Sequence, residues 1–187
     1  MSGRTFLTDQ FLVAMPTLED PNFSRTVTYI CEHNAEGAMG IVINRPLELH
    51  LDEVLRHMDI ELDDRAAGSI RIVLGGPVQQ DRGFVIHRGE SRWESTHAIN
   101  GEVGVTTSRD ILTAIARGEG PEQSLIALGY AGWGSGQLEQ ELADNAWLST
   151  PADLRILFEL PFAERWEAAA HLVGADLLNL STDVGHA

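Results

Sequence analysis

The chain contains no lysine: all 13 of its basic side chains are arginines, set against 28 acidic ones, for a formal net charge of −15. Without lysine there is no Schiff-base amine, no pyridoxal-phosphate anchor and no phosphate-binding lysine of the P-loop kind. Cysteine is nearly absent too. Cys31 stands alone, which excludes an intrachain disulfide, a zinc ribbon and a CxxC redox pair. No stretch approaches the roughly 18 consecutive apolar residues of a membrane span. The first residues, MSGRTFLTDQFLVAMP, are too polar and too interrupted to read as a signal peptide. These absences predict a soluble, cytoplasmic protein. A basic face is missing as well. The arginines are spread singly with acids between them, and the densest charge run, Glu61 to Arg65, is acidic. Nucleic-acid binding draws on basic groups that displace counterions, so direct contact with DNA is disfavoured, as is an anionic membrane surface. The seven histidines are scattered, without HxH or HExxH spacing, so no metal site is expected, and no cofactor either.

What is present is ordinary globular material: 187 residues, 43% hydrophobic and 22% charged, enough for one domain with its own core. Short apolar, β-branched runs predict strands at Phe11–Met15, Arg25–Cys31, Gly40–Ile43, Ile70–Leu74, Gly83–His87, Thr96–Ile99, Val103–Thr106 and Ser124–Leu128. Leu51, Val54, Leu55 and Met58 recur at helical spacing behind Asp52 and Glu53. A second helix is expected after the N-cap Ser108, with Ile111, Leu112 and Ile115 on one face and Gly118 past its end. Three more are expected: over Gln137–Asn145, from Pro151 as an N1 proline, and from Pro161 through Trp166 to Gly174. Strands fill the first two-thirds and helices the last, which is the pattern of an α+β fold in a single domain. The core spans about residues 11–174, and the tail beyond Gly174 is expected to fray.

Three stretches could carry chemistry. The segment GYAGWGSG, Gly129 to Gly136, follows a strand and precedes a helix. Its glycines, among them Gly132, Gly134 and Gly136, would let backbone N–H groups converge on a small anion at the helix start. The competing reading is a tight turn with Tyr130 and Trp133 packed inward; Glu139 and Glu141 would repel a phosphate there. Exposed, Trp133 would mark a surface site. Cys31-Glu32-His33-Asn34 offers a thiol beside an imidazole, and equally a packed cysteine at a strand end. Arg25 and Arg45, each at a chain turn, could clamp a carboxylate or phosphate, or could pin neighbouring acids such as Asp20 and Glu32. No nucleophile–base signature accompanies any of these; Ser135 between glycines lacks the spacing of a nucleophile elbow.

Taken together, FLVAMPTLEDPNFSRTV, EHNAEGAMGIVINRP, the GGPV element, RGFVIH and GYAGWGSGQLEQE resemble the AlgH/YqgE family, in order, from about Phe11 to Gly174. The resemblance implies a compact α+β domain of coiled, bifurcated β-sheets with flanking helices, in a bacterial cytosolic protein. Family members carry the label of transcriptional regulators of alginate production, and no agreed catalytic set comes with it. The label and the acidic composition together predict a non-enzymatic regulatory or adaptor protein that acts through a protein partner or small anionic ligand. The alternatives are a small-ligand-binding protein or enzyme built on Gly129–Gly136 with Arg25, His33 or Arg45, and a direct DNA-binding regulator. For the last, the helix start at Ser108-Arg109 is the one tolerable recognition element.

Overall fold

The computed structural model describes residues 6–18, 20–89 and 92–174; the expected fraying beyond Gly174 falls outside them. Ten strands form one curled sheet in the order β10-β1-β2-β3-β9-β6-β8-β7, with β5 and β4 branching from β9. In chain order the strands are β1 (Gln10–Ala14), β2 (Val27–Asn34), β3 (Gly37–Val42), β4 (Pro46–His50), β5 (Arg71–Leu74), β6 (Val78–Arg88), β7 (Thr96–Ala98), β8 (Val103–Thr106), β9 (Ser124–Gly134) and β10 (Trp147–Pro151). The helices are α1 (Leu51–His57), α2 (Arg65–Gly68), α3 (Arg109–Ala116), α4 (Gln137–Ala143), α5 (Leu154–Phe158) and α6 (Arg165–Val173), the last preceded by a 3₁₀ turn at Phe162–Glu164. A largely antiparallel sheet flanked by helices makes this α+β in a single domain, although α1, α2 and α3 fall among the strands and β10 falls among the later helices. No helix among the described residues is long and apolar enough to cross a membrane.

The sheet forks at β9. Its first half pairs with β6 on one edge, antiparallel, and with β5 on the other, parallel through Val73↔Ala127 and Leu74↔Leu128. Its second half pairs with β3 instead, from Gly40↔Ala131 to Gly37↔Gly134. The handover occurs at Gly75: its N–H donates to Leu128 O and its carbonyl accepts from Val42 N, each at 2.8 Å. Only glycine fits there. A Cβ on Gly75 would lie 2.4 Å from Gly129 O, and one on Gly129, whose φ is +79°, would lie 2.5 Å from Gly76 O. The GGPV element is thus the joint of the fork.

Alternation along the strands distributes the core. Leu125 and Ala127 of β9 face one cluster with Phe84, Ile86, Tyr29 and the helices α5 and α6. Ile126, with Leu128 partly buried beside it, faces a second cluster against α1 and α3 with Val85, Leu55 and Ile111. Ala131 and Trp133 face a third, with Leu138 of α4 and Trp147 of β10.

Several expectations are revised. Pro151 ends β10 rather than starting a helix; the N-cap of α5 is Asp153, whose Oδ1 accepts from Arg155 N and Ile156 N. Ser108 occupies the N-cap position of α3 but donates its hydroxyl to Asp110 Oδ1 at 2.5 Å instead of accepting from the helix. β4, β10 and the single turn α2 were not anticipated.

Candidate functional site

The glycine segment is not a loop. β9 continues through Tyr130 to Gly134, and its burial alternates, with Ala131 and Trp133 in and Gly132 and Gly134 out. GYAGWG is therefore a period-2 strand whose outward positions are Tyr130, Gly132 and Gly134. Gly132 lies opposite Met39 in the ladder with β3, and Gly134 N donates to Gln137 Oε1 at 2.9 Å. Gly136, at φ +75°, is the N-cap of α4. Nor is Trp133 exposed: it keeps 6% of its surface and donates its indole N–H to Glu141 Oε1 at 3.0 Å. The expected loop is thus replaced, from Gly129 to Gly134, by a paired strand.

The other sequence candidates lie apart. Arg25, at φ +52°, places its guanidinium over the ring of Trp166, 4.8 Å from the centroid. Arg45 donates to Pro21 O at 2.6 Å and Ser24 O at 3.0 Å, so it holds the turn through carbonyls, not through Asp20 or Glu32. His33 is buried beneath α4. Its Nδ1 accepts from Leu7 N at 2.9 Å, which leaves the ring proton on Nε2, 3.3 Å from Glu139 Oε1. Cys31 is 1% exposed, and burial pushes its thiol well up, followed by the nearby Glu32 charge, so it is a packed thiol and not a nucleophile at neutral pH.

Two buried cations-in-waiting escaped the sequence reading. Arg165 is 3% exposed, its Nε donating to Leu160 O and its Nη1 to Ile43 O, both at 2.9 Å, with Phe162 beneath it; desolvation pulls its pKa down to about 10. His87 is fully buried in β6, and burial lowers its pKa. Its Nε2 is 2.7 Å from Thr106 Oγ1, which is 2.7 Å from Thr96 Oγ1, which in turn donates to Trp93 O at 3.3 Å. The relay closes if His87 Nε2–H donates first and each hydroxyl donates onward.

Two concavities bear on function. One is an open groove of about 670 Å³ over the outward face of β9, with Gly132 as floor, Met39, Phe84 and Tyr130 as walls, and Glu32 and Glu36 at the rim. Arg82 borders it and sets its guanidinium 5.3 Å from the Phe84 centroid. The other is a more enclosed cleft of about 500 Å³ between α1, α3 and the sheet, walled by Val54, Met58, Leu112 and Leu128 and rimmed by His57, Asp81 and Arg109. Of the sequence candidates, the structure brings Gly132 and Trp133 to the groove, with Tyr130 from the same segment and Glu32 and Asn34 from the Cys31–Asn34 stretch, while Arg25, His33, Arg45, Gly134 and Gly136 do not line it. The cleft was missed because its walls come from positions 49 to 128 on separate elements; the available signal was Gly83, a glycine inside a strand pattern. Among the described residues, no three His, Cys, Asp or Glu side chains converge as a metal site would need.

Comparison with known proteins agrees with the fold. The chain is 57% identical to a UPF0301 protein of Nitrosococcus oceani and 62% identical to one of Thioalkalivibrio sulfidiphilus, over the full length of all three. It superposes on the solution structure of the AlgH protein from Pseudomonas aeruginosa with a TM-score of 0.80 at 54% identity, covering 97% of this chain and 96% of that one. A protein of Corynebacterium diphtheriae shares the fold at 18% identity, with a TM-score of 0.72 over 91% and 89% of the two chains. With the AlgH-like profile (DUF179) matching residues 11–178, the chain belongs to the AlgH-like family.

Proposed function

We propose that the protein is a non-enzymatic, cytoplasmic regulatory adaptor that acts through a protein partner and not by binding DNA itself. The observation that carries this reading is the open groove over β9. It joins aromatic walls, Phe84 and Tyr130, to a carboxylate rim, Glu32 and Glu36, on a chain of net charge −15. Such a surface suits an arginine- or lysine-bearing segment, whose cation stacks on the partly exposed Tyr130 ring and pairs with the acids. Arg82 over Phe84 is the same contact made within the chain. The glycine floor lets a partner backbone come close, since a Cβ on Gly132 would meet only the Tyr130 ring, at 3.5 Å. The acidic balance opposes DNA by the counterion argument.

The test is cross-linking at native expression in the host, comparing the wild-type protein with a Glu32→Arg/Glu36→Arg double variant. A basic protein recovered with the wild type and lost with the variant, and whose purified form binds the wild type more weakly as salt rises, supports the reading. Recovery that does not depend on the two acids overturns it. A sequence-selective DNA shift by the purified protein alone overturns its indirect character.

A further inference from the structure

The cleft between α1 and α3 is separate from the groove, on the opposite face of β6: Phe84 lines the groove, while Gly83 and Val85 line the cleft. Its floor is buried, formed by Ile72, Val85 and Ile126, but its walls are not sealed. Leu49, Val54, Met58, Leu112 and Leu128 are each only partly buried around it. Five large aliphatic side chains left wet in one concavity are the composition of a small-molecule pocket, and about 500 Å³ falls within the usual range of roughly 300–1,000 Å³. Gly83 keeps the space open. A Cβ placed on it meets nothing within 4 Å, and its φ lies outside the left-handed region. A side chain there would fill the cleft, so glycine is not required by the backbone.

The charged and ionisable groups that line the cleft are His57, Asp81 and Arg109, beside the hydroxyls of Thr106, Thr107 and Ser108. Arg109, exposed at the start of α3, reaches across to donate to Met58 O at the end of α1. This fixes the guanidinium over the opening while most of its N–H donors stay available. Among the described residues it has no carboxylate partner. His57 stands on the same rim and Asp81 on it too, an acid that would turn away a second anion. The end of α3 itself is already neutralised: Asp110 accepts from Ile111 N and from Glu94 N. The head-group contact therefore falls to Arg109, which favours a planar, bidentate anion.

We infer that this cleft binds an amphipathic monocarboxylate, an aliphatic body of roughly ten carbons seated on Val85 and Ile126 with its carboxylate on Arg109. The experiment is calorimetric titration of the purified chain with decanoate, decanol and decylamine, all below their aggregation thresholds, with the methyl resonances of Val54, Val85 and Leu112 followed in parallel. The wild type is expected to bind decanoate at least tenfold more tightly than decanol and to ignore decylamine, with shifts confined to those methyls. Arg109→Gln should weaken decanoate about tenfold and leave decanol unchanged. Gly83→Val should abolish both, and Leu112→Trp, which blocks the same space from α3, should do so independently. Equal affinity for decanol and decanoate, preference for decylamine, absence of any binding, or binding that survives both blocking variants would each overturn the assignment.

Discussion

Trp133 and Trp147 donate their indole N–H groups to the same atom, Oε1 of Glu141, at 3.0 and 2.9 Å, with ring centroids 6.1 Å apart and planes at 78°. One carboxylate oxygen on α4 thus ties the inner strand β9 to the edge strand β10. Its other oxygen accepts from Gln137 Nε2 at 2.9 Å. Replacing Glu141 with leucine leaves two indole donors in a nearly dry environment and should cost about 2–4 kcal/mol, whereas Glu141→Gln keeps an acceptor and should cost about half as much or less. Urea denaturation followed by tryptophan fluorescence checks both.

The glycines of the 129–136 segment should not be equivalent. Gly129→Ala puts a Cβ 2.5 Å from Gly76 O at a φ of +79°, so it should destabilise by more than about 2 kcal/mol or prevent folding. Gly132→Ala meets only an ordinary contact at 3.5 Å and should be neutral or mildly stabilising in a strand. Thermal melts of the pair decide whether this segment is strand or loop.

His87 makes stability depend on pH. Its pKa in the fold lies below the ordinary 6.5 because burial disfavours the imidazolium, so the unfolded chain takes up the proton first as pH falls. Stability from this residue is therefore intact above about pH 7 and declines below it, by about 1.4 kcal/mol for each pH unit between the two pKa values. His87→Leu should remove that part of the slope. Urea midpoints at pH 7.5, 6.5 and 5.5 for both proteins measure it.

Cys31 should resist modification. Buried between strands with its thiol pushed upward, it should react with an iodoacetamide probe at pH 8 only at the rate of unfolding, and at once in denaturant. Rapid labelling of the native protein would contradict the packed position.

Much of the fold was legible because runs such as Val27–Ile30 and Val103–Thr106 have the β-branched and aromatic content of buried strands, and all eight positions are buried. The second half of β9 was missed for a physical reason. Glycine weakens strands in isolation, so four of them drew attention away from the alternation of Ala131 and Trp133, which tertiary pairing with β3 makes decisive. β10 was missed since WLSTP has little β-branched content and depends on β1 for every partner. The arginines show the same limit. That Arg25 and Arg45 hold turns was among the expected readings, but their partners, an indole face and two carbonyls, are set by chain segments that only folding brings near. The cleft left almost no local trace: partly buried aliphatics on several elements look in sequence like any core.

The fork at β9 also orders events during synthesis. β3, β5 and β6 all precede β9 in the chain, yet each takes hydrogen bonds from it, and β1 waits for β10, 139 residues later by the pairing Phe11 to Thr150. A nascent chain that ends before residue 124 holds three central strands with open edges and no shared neighbour to join them. Closure of the sheet thus waits until β9 and β10 have emerged. The long interval before it is when this protein depends most on its own charge, or on a chaperone, to stay apart from its copies.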